Sequence, residues 1–272
     1  MIKSNCHTHT IYCDGKNTAE EMVLKAIELG FESIGFSGHA PMFFESEWGM
    51  KKEDIPKYIS EIGALKEKYA DKIDVLCGIE LDADYSDINP DDFDYTIASV
   101  HQFIFDGKDY PIDYSADVLA ELVDKLFHSS WNEMAKDYYS RLTDFVLSGN
   151  FDVVGHFDLI TKYNDNFSQF PENDEYKHIA LNALDKIIDE KSDILFEVNT
   201  GAMFRVGNSA PYPSKFILEH IFKKGGKITI TSDSHSTDSL DFAFDKAIEY
   251  CKQCGFKFAY ILKSSGKEKI IL

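Results

Sequence analysis

Asn5-Cys6-His7-Thr8-His9 is the stretch from which the fold of this chain is read. It follows a short apolar start, Met1-Ile2, as the end of a first strand would. Alternate residues of a strand point to one face, so His7 and His9 would project together, one strand pitch apart. Two imidazoles so placed suit one metal ion, whereas a helix would need them four residues apart. A lone His-x-His also fits two polar residues at a strand end. Its meaning therefore depends on whether other strands end in residues of the same kind.

Apolar, β-branched runs that end in polar residues recur along the chain. The strand candidates are residues 2–7, 33–37, 74–79, 95–100, 153–156, 194–199, 228–232 and 258–262. Most are continuous rather than alternating, as expected of parallel strands covered on both faces. Helical patterns separate them. Thr18-Ala-Glu-Glu21 reads as a capping box opening a helix to about Gly30, and Pro213-Ser214 precedes a helix ending at Lys224 before Gly225-Gly226. The span 115–148 reads as two helices that break near Ser129-Ser130, and 240–252 as a late amphipathic helix. Repeated strand-then-helix units, without a linker or composition break, predict one (β/α) barrel-like domain over residues 1–272, with seven or eight strands.

The composition narrows the partners. A hydrophobic fraction of 44% excludes a disordered chain, and a formal charge of −19 argues against nucleic acid and anionic membranes. A phosphorylated substrate would need local positive charge, which divalent cations could supply. The N-terminus carries no signal-peptide pattern and no apolar run has the length of a membrane span, so the expected location is cytoplasmic. Cysteines at 6, 13, 77, 251 and 254 fit a reduced compartment better than a disulfide framework. Cys251-Lys-Gln-Cys254 has redox or zinc spacing but no second pair, and reads as ordinary helix and cap cysteines.

In such a barrel, reactive groups stand at the C-terminal ends of the strands. His7 and His9 end the first strand, His39 the second, Glu80 the third, His101 the fourth, His156 the fifth, and Asp233 with His235 the penultimate one. Six of the nine histidines thus fall at one structural level, while His128, His178 and His220 lie in helical stretches. With Asp14 added, this donor set exceeds what one ion can use, since zinc takes about four ligands. Two or three ions are implied, and Glu80, with two carboxylate oxygens, is the natural bridge. No P-loop competes, because Lys224-Gly-Gly-Lys227 is followed by Ile228; the Cys-x5-Arg phosphatase pattern is absent too, Tyr12, Ala19 and Ala83 standing six residues after Cys6, Cys13 and Cys77.

As a set, the His-x-His start, Ser37-Gly-His-Ala-Pro41, Gly78-Ile-Glu80, Ser99-Val-His101, Gly155-His-Phe-Asp-Leu159, Glu197-Val-Asn-Thr-Gly201 and Ser232-Asp-Ser-His235 resemble the polymerase-and-histidinol-phosphatase (PHP) superfamily, and within it most of all the histidinol-phosphatases. The resemblance implies a distorted (β/α)7 TIM-like barrel and a trinuclear centre that hydrolyses the small phosphate monoester L-histidinol phosphate in histidine biosynthesis. It assigns one ion to His7, His9, Glu80 and Asp233, a second to Glu80, His101 and His156, and a third to Asp14, His39 and His235. Zinc, manganese and iron all suit these donors.

The expected chemistry is attack on phosphorus by hydroxide formed on ions that Glu80 bridges, with no phospho-enzyme. Arg205, just after Glu197-Val-Asn-Thr-Gly201, is the expected phosphate ligand, its planar fork suiting phosphate, and Lys162 is a second candidate where relatives tend to have arginine. The leaving oxygen needs a proton or a metal, and Asp233 or His235 could give the proton only where not fully committed to an ion. The segment Met42 to Trp48 reads as a lid whose aromatic residues, Phe43 and Trp48 among them, pack the substrate imidazole. The expected assembly is a monomer or homodimer. Competing readings are another phosphoesterase of the superfamily, acting on phosphotyrosine or nucleotides, and a metal-binding regulatory module without turnover.

Overall fold

The computed structural model describes residues 2–44, 46–85, 88–167 and 173–272. Seven parallel strands neighbour one another in sequence order. They are β1 (Ser4–Asn5), β2 (Ser33–Phe36), β3 (Asp74–Asp82), β4 (Tyr95–Ser99), β5 (Val153–Val154), β6 (Leu195–Asn199) and β7 (Lys227–Thr231). Just beyond β1 and β7 the first and last strands meet: Thr8 bridges Ser234 in parallel, His9 N–H donates to the Ser234 carbonyl at 2.8 Å, and Ser234 N–H donates to the His7 carbonyl at 3.0 Å. The sheet thereby closes into the expected TIM-like barrel. That closure also sets the two alternate-residue pairs, His7/His9 and Asp233/His235, side by side.

Helices follow the strands as their caps dictate. In α1 (Ala19–Glu28), Thr18 and Glu21 form the reciprocal capping box. Ser115 caps α3 (Ala116–Phe127) and Ser130 caps α4 (Trp131–Ser148), with α2 (Ile55–Lys68) before them. The break between α3 and α4 comes where His128 and Ser129 both take left-handed conformations. Further on lie α5 (Asp174–Glu190), α6 (Lys215–Lys223) and α7 (Phe244–Gln253). The main apolar core lies between helices and sheet, and a smaller cluster of Cys6, Leu76, Tyr95, Ile97, Val153, Leu195 and Leu262 packs apart from it. Gly78 is there because a Cβ would stand 2.3 Å from the Tyr95 ring, whose hydroxyl donates to the Cys6 carbonyl at 2.5 Å.

Two expectations are corrected and one element is added. The eighth strand candidate does not join the barrel: Phe258–Lys263 pairs antiparallel with Gly266–Ile271. The first and last barrel strands already meet through Thr8 and Ser234 and leave no edge for an eighth, so the segment turns back through Ser264-Ser265 and pairs with the strand that follows it. This hairpin packs against the barrel, the Leu262 side chain joining the smaller cluster while its carbonyl accepts from the Ser33 hydroxyl at 2.9 Å. A second hairpin, Gln102–Phe105 with Lys108–Pro111, comes after β4 and was not foreseen. Its turn is Asp106-Gly107, both at positive φ, the usual sequence mark of a two-residue hairpin loop. The late helix begins at Phe244 rather than Leu240, because a 3-10 turn at Thr237–Ser239 and Ala243 at φ 58° precede it. All five cysteines are free, and burial pushes the Cys254 thiol up to about 11. Among the described residues no helix is long and apolar enough to cross a membrane.

Candidate metal centre

At the C-terminal ends of the strands, imidazoles and carboxylates converge around Glu80, which is 1% exposed at the end of β3. His7 Nε2 lies 3.3 Å and His9 Nε2 3.7 Å from Glu80 Oε2, and the same nitrogens lie 3.6 and 3.2 Å from Asp233 Oδ1. His7 Nε2, His9 Nε2 and Glu80 Oε2 are all buried without a hydrogen bond. Leaving a buried polar atom unsatisfied costs about 1–3 kcal/mol, and more when it is charged. Three such atoms facing one another fit a cation coordinated between them, with Asp233 as the fourth donor.

The other oxygen of Glu80 faces a second group. His156 Nε2 lies 3.2 Å and His101 Nε2 3.5 Å from Glu80 Oε1, and the two rings approach to 3.2 Å between their Nε2 atoms. Ser99 fixes the bridge by donating to Glu80 Oε1 at 2.6 Å. On the outer side, Asp14 lies 3.1 Å from His235 Nε2, 3.4 Å from His9 Nδ1 and 3.8 Å from His39 Nε2. His39 reaches both groups, its Nδ1 lying 2.8 Å from Glu80 Oε2. Candidate ligand sets are therefore His7/His9/Asp233, His39/Glu80/His101 and His9/Asp14/His39/His235. All nine residues expected as ligands stand in this one cluster.

The charges respond to one another. Burial resists ionisation of Glu80, but His7, His39 and His101 hold its carboxyl well below the ordinary range. Burial likewise opposes protonation of His7, yet Glu197, Asp233 and Glu80 keep its pKa well above the usual value. His101 is buried as well, and there Glu80 and Asp82 overcome burial and raise it to about 9. In contrast, burial and the neighbouring His9 push His235 down to about 4.

The expected phosphate ligands differ in setting. Arg205, in the short helix Gly201–Arg205, donates to Asp233 Oδ2 at 2.6 Å and to the Asp233 carbonyl at 3.0 Å, with His235 Nδ1 3.0 Å away. Its Nε–H has no partner among the described residues. Lys162 is 7% exposed and donates to the Asp113 carbonyl at 2.8 Å and carboxylate at 2.9 Å. Burial opposes ionisation of Asp113, but Lys162 and His101 hold it down to about 2.

Of the lid aromatics, Trp48 is brought to the cluster, its ring 4.7 Å from His39 and 5.7 Å from His101. Phe43 is 56% exposed and packs edge-on against Phe44. Glu45, the middle of the lid segment, lies outside the described residues. A cavity of about 260 Å³ opens beside the cluster, walled by His39, Trp48, His101, Gln102, Asp113 and Tyr114 among others. Two carboxylates that sequence reasoning passed over, Glu197 and Asp82, are buried behind the ligands. The fully buried Glu197 accepts from His7 Nδ1 at 2.5 Å, and Asp82 accepts from His101 Nδ1 at 3.0 Å.

The family model described as the PHP domain matches residues 5–201. A probable histidinol-phosphatase of Deinococcus radiodurans is 28% identical over 264 residues, covering 92% of each chain. A histidinol-phosphatase of Lactococcus lactis is 29% identical over 275 residues, covering 94% of this chain and 93% of that protein. Among solved structures, histidinol phosphate phosphatase of Lactococcus lactis, complexed with zinc, L-histidinol and phosphate, superposes with a TM-score of 0.73 at 21% identity, covering 98% of each chain.

Proposed function

This chain belongs to the PHP domain family, and on that premise we infer that it is a metal-dependent phosphomonoesterase that hydrolyses L-histidinol phosphate to L-histidinol and phosphate. The observation that carries the reading is the convergence of buried, unsatisfied His7 Nε2, His9 Nε2 and Glu80 Oε2 beside the Arg205 guanidinium. An anionic substrate has no other reason to enter a chain of net charge −19.

Residues His7, His9, Glu80 and Asp233 would hold one ion, Glu80, His101 and His156 a second, and Asp14, His39 and His235 a third. Divalent ions at such a centre lower the pKa of water and neutralise phosphate oxygens. Zinc, manganese or iron would serve, the donors being imidazole and carboxylate with no thiolate among them. Glu80 holds the centre together, one oxygen facing each of the first two groups. Arg205 binds phosphate through its free Nε–H while Asp233 fixes the plane of its fork. Asp233, held ionised, and His235, held neutral, flank Arg205 and have no proton of their own to give, so the leaving oxygen would be neutralised by an ion or by a proton relayed from water. Lys162, held by Asp113, supplies a second positive charge behind the phosphate. The cavity beside Trp48 takes the leaving alcohol. Five free cysteines and a biosynthetic role support a cytoplasmic location.

Phosphate release from L-histidinol phosphate by the metal-loaded protein, set against nucleotide monophosphates and phosphotyrosine, tests this. A strong preference for histidinol phosphate that disappears on chelation is expected. Equal, slow turnover of all the esters would refute the substrate, and activity that survives complete metal removal would refute the chemistry.

A further inference from the structure

Two buried carboxylates outside the ligand set touch ligand histidines on the side away from Glu80. Glu197, on β6, accepts four hydrogen bonds: from His7 Nδ1 at 2.5 Å, the His156 backbone N–H at 2.7 Å, the Asn199 amide at 2.9 Å and the Thr231 hydroxyl at 2.5 Å. Asp82, at the end of β3, accepts from His101 Nδ1 at 3.0 Å, the His101 backbone N–H at 2.8 Å, the Asp84 N–H at 3.1 Å and the Gln102 amide at 3.3 Å.

An ionised carboxylate only accepts hydrogen bonds, so the imidazole nitrogen facing it must carry the proton. In both rings that keeps an N–H at Nδ1 and makes Nε2 the nitrogen whose proton an incoming ion would displace for its lone pair. His7 Nε2 then faces Glu80 Oε2 at 3.3 Å, and His101 Nε2 faces Glu80 Oε1 at 3.5 Å. The two backed rings thus approach opposite oxygens of one bridging carboxylate. The remaining ligand imidazoles are supported differently. His235 Nδ1 meets the Asp233 carbonyl at 2.9 Å and its carboxylate at 3.5 Å, His39 Nδ1 faces Glu80 itself at 2.8 Å, His9 Nδ1 meets Cys13 Sγ at 3.5 Å and Asp14, and His156 Nδ1 is buried with no hydrogen bond.

We propose that Glu197 and Asp82 are positioning residues, each aiming one imidazole at one of the two ions that Glu80 would bridge: Glu197 the His7 ring, at the ion of His7, His9 and Asp233, and Asp82 the His101 ring, at the ion of His101 and His156, Glu197 meeting the second group only through the His156 backbone. Each fixes the ring orientation and tautomer of its histidine and, by drawing on the Nδ1 proton, raises the basicity of Nε2. The division of labour rests on the metal-centre reading above and adds to it that the two sites can be weakened one at a time.

The test uses the full-length, zinc-loaded protein with Glu197→Gln and Asp82→Asn, both close to isosteric. Zinc content after dialysis against graded chelator, together with dissociation constants from competition, is expected to show one ion weakened about 10–100-fold in each variant, a different ion in each, with the other changed little. Activity should return when free zinc is raised by the same factor, which a variant with a merely disturbed fold would not do. In the proton NMR spectrum of zinc-loaded wild type, two low-field imidazole N–H signals are expected, assigned to Nδ1 of His7 and His101, and each should be absent from one variant. That wild-type measurement decides the matter even if a variant fails to fold, since protons found on Nε2 overturn the proposal. Equal weakening of both ions in both variants, or no weakening in either, overturns it as well. A wild-type protein that takes up no ion would instead overturn the metal-centre reading, and this proposal with it.

Discussion

Replacing Arg205 with Ala separates the phosphate site from the metal site. The guanidinium has three near contacts, to Asp233 Oδ2 at 2.6 Å, the Asp233 carbonyl at 3.0 Å and His235 Nδ1 at 3.0 Å. These fix the fork and leave its Nε–H and one terminal N–H for phosphate. A hydrogen bond to a charged group is worth about 1.5–3 kcal/mol, so two of them give about 3–6 kcal/mol. At roughly 1.4 kcal/mol per decade, kcat/KM for L-histidinol phosphate should fall by about two to four decades. Removing the cation also leaves Asp233 more negative, so ion binding should hold or tighten. The assay is steady-state phosphate release with elemental analysis of the same samples. Unchanged kinetics would remove Arg205 from the phosphate site. Loss of metal in parallel with activity would show that it acts only by holding Asp233. Gly201→Ala offers a milder version, because its Cβ would stand 2.9 Å from Arg205 Nη2 and push the guanidinium aside without removing its charge.

The same geometry makes three further outcomes testable. Trp48→Leu should raise KM for L-histidinol phosphate several-fold, while Phe43→Ala, at an exposed position, should leave both kinetic constants within about twofold, as steady-state kinetics would report. Gly155→Ala would bring a Cβ to 2.4 Å from Ser99 Oγ, the hydroxyl that donates to Glu80, and should cost about 1–3 kcal/mol in denaturant unfolding together with weakened metal retention. Zinc affinity should rise with pH. Burial alone would lower His101, but Glu80 and Asp82 lift it to about 9, so it carries a proton at neutral pH that an incoming ion must displace. The His101 share of the gain should level off once the pH passes about 9, His7 and His9, whose pKa values are also raised, add to it, and His235, lowered to about 4, is already neutral and releases nothing. Calorimetry in buffers of different ionisation enthalpy counts these protons, and an affinity independent of pH between about 6 and 8 would contradict the assignment.

The barrel could be read from the chain because a parallel strand covered on both faces is a continuous apolar run, and β2, β4 and β6 are buried at every residue. The same property misled at Phe258–Lys263. A half-buried hairpin strand of similar composition differs from a barrel strand only in the residues that come after it, and Gly266 with its immediate return was the distinguishing mark. The unforeseen hairpin after His101 carried its own mark, Asp106-Gly107 between Phe105 and Lys108. Phe43 and Trp48 could not be told apart, because which aromatic of an irregular loop turns inward is settled by contacts with His39 and His101, the latter far away in the chain.

The expected donors were read by one filter, histidines and acids at strand ends, and the same filter, run one step further, reaches one of the two carboxylates it missed. Alternate residues of a strand share a face, so a ligand at position i marks i−2 and i+2 as its neighbours. Two residues beyond Glu80 is Asp82, whereas no ligand stands two residues from Glu197, which meets His7 from another strand. Ser99 stands two before His101 and donates to Glu80, and Thr231 stands two before Asp233 and donates to Glu197. The interior end of this barrel is therefore layered: ions would sit among Nε2 and carboxylate atoms in one layer, and the groups that aim those atoms lie a strand pitch away. What no periodicity could supply is the pairing across strands. That Glu197 serves His7 from 190 residues away is a consequence of barrel closure through Thr8 and Ser234, whereas Asp82 serves His101 because β3 and β4 pair side by side. Closure is thus part of the chemistry of the site, since without it His7 would have neither Asp233 before it nor Glu197 behind it.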